Sequence, residues 1–294
     1  MKKRSIQTYI RTIIIILILV VNSNLRAQEG TYWLGLSLKN PAAIATPSDW
    51  INGIYSHLAY DLNQYGKESF NSYTSSFDFK ISQKIGSIGL DINYLKYQNE
   101  SATLIKANYA YDIRILNSTL LSFGVSAGTT FYKTDYSLYE IYPGPGYTPP
   151  TDYNFNSFNG NAGIFLHSTQ LSTGLSVTFE KQISGEENIN RNFPTQLTGV
   201  VAYRVINNEI LIITPNFMAD YSTDDFYSIP GLQIEYKKLI WAGYQNFDFK
   251  DFHSINLGVD IMMKFRIGYS YSFNHFMNTE GLNTHEFVLG YRLQ

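Results

Sequence analysis

The sequence predicts an all-β protein, a transmembrane antiparallel β-barrel, and three observations carry this prediction. Stretches of about ten residues in which apolar and polar residues alternate recur along most of the chain, as in strands with one face toward lipid and one toward a polar lumen. Tyr and Phe supply 24 and 19 residues, while charged residues make up only 16% of the chain, where about 25% is usual. After residue 27, no apolar run approaches the ~20 residues that a transmembrane helix needs.

The N-terminus has the parts of a cleavable signal peptide. Lys2, Lys3 and Arg4 form a basic start, residues 13–21 form an uninterrupted apolar core, and a short polar stretch leads to Ala27. The apolar core is too short for the alternative, a membrane anchor helix. We therefore expect a signal peptide over residues 1–27, a periplasmic or plug segment over 28–51, and an outer-membrane barrel over 52–294.

Charge and cysteine content exclude several classes of protein. The segment 1–27 contains five basic and no acidic residues, so its removal leaves 17 basic against 24 acidic residues, a net charge of about −7. An acidic chain of this kind is not expected to bind nucleic acid. The chain contains no cysteine, which excludes a lipoprotein acylation site, a disulfide framework and a thiolate metal site.

The alternation is clearest between residues 265 and 274, where apolar or aromatic side chains occupy every second position. Fourteen segments of this kind are predicted, an even number that places both termini in the periplasm. They begin near Gly53, Asn71, Gly86, Ala102, Thr119, Ser157, Leu171, Thr195, Glu209, Ser228, Leu239, Ser254, Lys264 and Thr284. The ninth is interrupted by Pro215, and the alternation of the eleventh is indistinct around Trp241, so twelve strands is the alternative count.

The predicted connections alternate between short and long, as the periplasmic turns and external loops of bacterial barrels do. The short links are near 83–84, 116–118, 168–170, 207–208 and 237–238, and the longer ones are 63–70, 134–156, 183–194, 222–227, 249–253 and 276–283. A secreted β-sandwich with one buried face is the alternative fold. It would carry abundant Lys and Glu on its wet face, whereas the polar face here is mostly Gly, Ser, Asn and Thr.

The sequence contains no recognisable catalytic or cofactor motif. None of the five histidines falls in a frame typical of hydrolases or metalloproteases, and Glu186-Glu187 and Asp224-Asp225 lie in predicted external loops, where solvated charge is the simpler interpretation. We therefore expect no enzymatic activity, no catalytic, cofactor-binding or metal-binding residue, and no cofactor.

Charged residues are also predicted on the lumen face, and both signs occur among them. They are Asp78, Lys80, Asp91, Lys106, Asp112, Arg114, Glu180, Arg204, Asp260, Arg266 and Arg292. Mixed charges are expected to pair across the lumen and close it, which disfavours an open general pore. The proline-rich stretch from Tyr142 to Pro150, in the loop 134–156, is either a docking surface for a protein or an ordinary surface loop or inward lid.

Two short motifs give the chain a family resemblance. Asn40-Pro41-Ala42 precedes the first strand, and the chain closes with the strand His285-Glu286-Phe287-Val288-Leu289-Gly290-Tyr291-Arg292-Leu293. Both features are similar to those of the PorP/SprF family, outer-membrane proteins of the Bacteroidetes type IX secretion system.

The resemblance implies a non-enzymatic barrel that supports export or surface anchoring of particular cargo, such as gliding adhesins. The implied partners are outer-membrane lipid, other components of the secretion system and the C-terminal sorting domain of a cargo protein. Two alternatives remain at this point: an outer-membrane transporter for a hydrophobic or small solute, and an outer-membrane hydrolase.

Overall fold

The computed structural model describes residues 36–45, 53–61, 70–82, 84–97, 99–116, 118–135, 153–185, 193–223, 225–247, 252–262, 264–274 and 284–292. The predicted signal peptide and the proline-rich stretch lie outside these residues. Within them, no helix is long and apolar enough to cross a membrane.

The described residues form antiparallel strands preceded by one short helical segment. This segment is a four-residue helix, α1 (Leu36–Lys39), followed by a 3₁₀ turn (Pro41–Ala45). The strands are β1 (Gly53–Asp61), β2 (Phe70–Ser82), β3 (Gly86–Tyr97), β4 (Glu100–Leu116), β5 (Thr119–Thr134), β6 (Tyr153–His167), β7 (Leu171–Gly185), β8 (Gln196–Tyr203), β9 (Ile206–Asn207), β10 (Leu211–Tyr221), β11 (Phe226–Tyr236), β12 (Ile240–Phe247), β13 (Phe252–Ile261), β14 (Phe265–Asn274) and β15 (Thr284–Arg292).

Strand pairing runs through all fourteen long strands and returns to the first. Each long strand pairs antiparallel with its neighbours in the chain, with β10 next to β8 and the two-residue β9 at its edge. The first and last strands also pair, Gly53 opposite Arg292, and β10 pairs with β11 along its whole length. The predicted count of fourteen is confirmed, and five strands begin at the predicted residue: Gly53, Gly86, Thr119, Leu171 and Thr284.

Burial along the strands is the reverse of that in a water-soluble protein, because polar side chains are buried and large apolar side chains are exposed. In β13 the side chain of Asn256 is fully buried, while its neighbour Leu257 is 54% exposed. The same inversion holds in β14, where Arg266 and Ser270 are buried and Ile267 is exposed. A β-sandwich core would bury the apolar set instead, so the pattern excludes that alternative and matches a membrane barrel.

The weak ninth segment is a real strand, and Pro215 explains its irregular edge. In β10, residues 216–221 pair with β8 and residues 212–213 pair with β9, so Thr214 and Pro215 have no partner in either. Proline lacks the backbone N–H that a ladder bond needs, so pairing on this side is interrupted. On the other side the ladder with β11 is continuous through Pro215, which lies opposite Leu232.

The indistinct alternation of the eleventh segment arises because a large apolar side chain points inward. Trp241 of β12 is 1% exposed and lies over Gly258 and Gly268. Because these residues have no side chain, they leave room for the indole. The guanidinium of Arg266 lies 5.4 Å from the centre of the indole. The strand is therefore regular, although its sequence breaks the apolar-out pattern.

Two features differ from the prediction. Strands β4 to β7 have 15 to 17 residues rather than about ten, longer than the 9–11 residues needed to cross a bilayer. In addition, β3 ends at Tyr97 and β4 begins at Glu100, so a two-residue link stands at the end of the barrel where long loops were expected.

Candidate functional site

The Asn40-Pro41-Ala42 motif lies inside the barrel. It is part of Leu36–Ala45, which we call the lumen segment and whose 3₁₀ turn packs against β4, β5 and β6. Asn40 is 1% exposed, and Ala42, Ala43 and Ile44 are also buried. A segment that precedes the first strand is therefore seated on the inner wall.

The Asn40 side chain fixes both the shape of the segment and its place on the wall. Its amide nitrogen donates to the backbone oxygens of Ile164 at 3.1 Å and Leu175 at 3.3 Å, which face each other in the β6–β7 ladder. Its amide oxygen accepts from the backbone nitrogen of Ala42 at 3.0 Å, which closes a tight turn. Pro41 needs no partner for its nitrogen at the first position of the 3₁₀ turn.

The wall beneath the motif is made of glycine. A Cβ at Gly124 would lie 2.1 Å from the backbone nitrogen of Ala42, and one at Gly163 would lie 2.1 Å from the Asn40 amide oxygen. At Gly174 the corresponding distance to the Asn40 amide nitrogen is 2.8 Å. Strand glycines often mark a close backbone approach, and here they form the seat of the lumen segment.

Polar side chains of three strands also hold the backbone of the lumen segment. Lys106 of β4 donates from Nζ to the backbone oxygen of Leu38 at 2.8 Å. The backbone oxygen of Lys39 accepts from Asn161 of β6 at 2.9 Å and from Ser176 of β7 at 2.7 Å. These contacts satisfy carbonyls at the end of α1, where the backbone N–H donors of a following helical turn are missing.

The Lys39 side chain extends past β8 to the next part of the wall. Its Nζ lies 3.5 Å from the Asp220 carboxylate of β10 and 3.3 Å from the Tyr227 hydroxyl of β11. The Tyr227 hydroxyl donates to the same carboxylate. The lumen segment is therefore attached to its seat on β4 to β7 and, farther along the wall, to the Asp220–Tyr227 pair.

Small apolar contacts complete the attachment. Ala42 and Ala43 pack against Phe165 of β6, with Leu36 and Val200 at the edge, and Ile44 packs against Ala110 of β4. The attachment therefore combines these apolar contacts with the hydrogen bonds and the ion pair described above.

Ion pairs of the barrel wall differ from the prediction. Lys106 pairs with Asp91 at 3.6 Å and Arg266 with Asp260 at 2.7 Å, in both cases between adjacent strands and in register. A third pair, Lys80 with Asp112 at 2.7 Å, spans β2 and β4 over the buried Ser87. The prediction that such charges pair across the lumen is wrong for these pairs, because a carboxylate one or two strands away along the wall is closer than the far wall.

Of the other predicted lumen charges, some lie on the inner wall and others do not. Asp78 is buried on the inner wall, and Glu180 accepts hydrogen bonds from Tyr132 and Ser157. Arg114 is exposed near the β4–β5 turn and Arg204 lies in the break between β8 and β9. The side chain of Arg292 lies outside the described residues.

The His285-Glu286 pair that opens the last strand is divided by the wall. Glu286 is buried on the inside, whereas His285 lies on the outside, where its Nδ1 is 2.5 Å from the Tyr269 hydroxyl. His253 has a similar outer position, with Nδ1 at 2.7 Å from the Tyr244 hydroxyl. The described residues hold no group of three or more His, Cys, Asp or Glu side chains suited to a metal ion.

Comparison with known proteins places these features in a family. The model of the type IX secretion system membrane protein PorP/SprF matches residues 58–291. The chain belongs to the PorP/SprF family. The match spans nearly all of the barrel and confirms the family resemblance, whereas Asn40-Pro41-Ala42 precedes the matched residues. A comparison with the sequences of curated proteins finds no match.

Solved structures with a similar fold are outer-membrane barrels. The toluene transporter TbuX of Ralstonia pickettii superposes with a TM-score of 0.54 at 10% identity, covering 87% of this chain and 93% of its own. The toluene transporter TodX of Pseudomonas putida gives 0.52 at 11% identity, covering 92% and 95%. At these identities the likeness establishes the fold alone.

Proposed function

We propose that this PorP/SprF family member is a non-enzymatic accessory barrel of the type IX secretion system, which supports export or surface anchoring of specific cargo through protein contacts. In this proposal a signal peptide directs the chain to the outer membrane, lipid covers the apolar outer face, and the partners are other secretion components and the C-terminal sorting domain of the cargo. The segment 28–51 acts as a plug that closes the lumen.

The observation that carries the proposal is the seating of the lumen segment. Asn40 bridges two wall carbonyls, three wall glycines leave room for the turn, and Lys39 ties the segment to a second part of the wall. These specific contacts hold the N-terminal segment in the lumen, which favours a closed or gated barrel over a general pore. Cargo selection would then reside in surfaces that contact other proteins.

The experiment is a comparison of secreted and surface-exposed proteins between the parent strain and a strain without the gene. Loss of a small set of cargo proteins, restored by the wild-type gene, supports the proposal. Unchanged secretion of every cargo contradicts it. An inner-membrane or periplasmic fractionation control separates failed export from failed synthesis.

A second candidate function is transport of a hydrophobic or small solute. It is favoured by an apolar group on the inner wall, Met218, Ile229, Phe247 and Phe252, with Val200 and Tyr227 packed against it, and by the toluene transporters among its structural neighbours. Slower uptake of toluene or a fatty acid by the deletion strain, together with an unchanged secreted proteome, would select this function over the first.

A further inference from the structure

The Asp220–Tyr227 pair is a buried anionic site whose charge is offset by the lumen segment. The Asp220 side chain is 1% exposed, and that of Lys39 is 28% exposed. One carboxylate oxygen accepts from Tyr227 and lies near Lys39, whereas the other, Oδ1, has no hydrogen-bond partner in the part of the chain that the structure describes. Tyr227 is a neutral donor, so within the described residues the Lys39 ammonium supplies the positive charge that pairs with Asp220.

Burial makes this partner important. A carboxylate held away from water is strongly destabilised when its positive partner is removed, because neither solvent nor the remaining hydroxyl can compensate for the lost charge. The seat on β4 to β7 differs in character, since there the wall meets the segment through amide, hydroxyl and ammonium donors to neutral carbonyls. Such bonds exchange readily with water once the segment moves.

We propose that Asp220 and Tyr227 form a cation-binding site in the lumen wall, that it takes a primary ammonium or guanidinium group, and that Lys39 is its built-in occupant and acts as a latch. This inference rests on the proposed closure of the lumen by the N-terminal segment. Departure of Lys39 from the site unseats the segment. A basic side chain of an incoming polypeptide that reaches Asp220 competes with Lys39 for the same site and opens the barrel.

The test is the open fraction of the purified full-length barrel in planar lipid bilayers. Lys39→Met is expected to raise it at least about tenfold, because the buried Asp220 loses its partner. Lys39→Arg retains the charge and is expected to stay near the wild type. In Lys39→Met/Asp220→Asn neither charge remains, so this double variant is expected to be less open than Lys39→Met alone.

A matched control is available in the wall pair Lys80–Asp112, which is closer than the latch pair, at 2.7 Å against 3.5 Å, and joins two strands of the wall. Lys80→Met is expected to conduct like the wild type. Opening by Lys80→Met equal to that of Lys39→Met overturns the latch, and so does a double variant as open as the single one.

A second readout guards against a misfolded variant. The chain has no cysteine, so a Ser37→Cys substitution gives a single thiol on the lumen segment, and its rate of reaction with a membrane-impermeant maleimide reports unseating. Faster labelling in Lys39→Met than in Lys80→Met supports the latch, and equal labelling overturns it. If the wild type itself conducts freely, the proposed closure fails; if the wild type is closed and Lys39→Met is also closed, only the latch fails.

Discussion

A single methyl group added beneath the lumen segment should loosen it. In Gly163→Ala the new Cβ would lie 2.1 Å from the Asn40 amide oxygen, whereas ordinary van der Waals contact begins at 3.4 Å. The neighbour that must move is a side-chain atom held by two wall carbonyls and by the turn. The substitution therefore displaces the segment rather than a free side chain.

The magnitude follows from the cost of overpacking. The contact is short by 1.3 Å, and forcing additional volume into a well-packed site usually costs about 1–3 kcal/mol. If this cost falls on the seated state alone, the ratio of unseated to seated segment rises by about 5- to 150-fold. The barrel itself should be affected little, since Gly163 lies within a strand and Ala is compatible with strand geometry.

The assay is the rate at which a maleimide labels Cys introduced at Ser37, which is 6% exposed in the seated segment. When seating and unseating are fast relative to the reaction, the rate is proportional to the unseated fraction. The control is Gly199→Ala on β8, where a Cβ would lie 3.4 Å from Leu175, an ordinary contact. Equal labelling rates in the Gly163→Ala and Gly199→Ala proteins would refute the role assigned to the glycine seat.

Three further predictions concern the barrel wall. Arg266→Met leaves the buried Asp260 carboxylate without the guanidinium that donates two hydrogen bonds to it, so we expect the free energy of unfolding in urea to fall by about 3–5 kcal/mol. The Arg266→Met/Asp260→Leu protein should recover part of this loss, and no recovery would contradict the charge argument. Trp241→Ala removes an indole that is 1% exposed and should cost about 3–5 kcal/mol in the same urea titration; a loss below about 1 kcal/mol would show that the indole is not packed in the lumen. Leu257→Lys, at a position 54% exposed on the outer face, should cost about 2–4 kcal/mol for folding into lipid vesicles if it lies near the bilayer midplane, and a neutral result would place that face in water.

The strands could be predicted from the sequence because their signal is local. In a strand, lipid-facing and lumen-facing residues alternate, so a short stretch of sequence is enough to show the pattern. Even the weak segments around Pro215 and Trp241 are strands. The two weaknesses have distinct physical origins. Pro215 lacks a donor for one ladder, and Trp241 points inward over two glycines in other strands, which no local pattern reveals.

The site was harder to predict because its parts are far apart in the chain. The motif Asn40-Pro41-Ala42 could be recognised, and a plug was one of the positions expected for the segment that contains it. Its seat, however, consists of Gly124, Gly163 and Gly174 on three strands. These look like ordinary strand glycines until the motif is placed on them.

The local sequence pattern also could not predict which charged residues of the wall pair with each other. Mixed signs in the lumen were predicted, and pairs were found, but they connect nearby strands. Lys39 was not among the predicted lumen charges, because it precedes the first strand and alternation says nothing about it. An isolated lysine next to the Asn-Pro-Ala motif was the available signal.

The most direct test of a lumen closed by the chain's own N-terminal segment is the single-channel conductance of the wild-type protein in planar lipid bilayers. A closed lumen predicts no steady conductance on the nanosiemens scale from the wild type, and the appearance of openings in the Gly163→Ala protein under the same conditions. A steady nanosiemens conductance from the wild type, unchanged in Gly163→Ala, would contradict it.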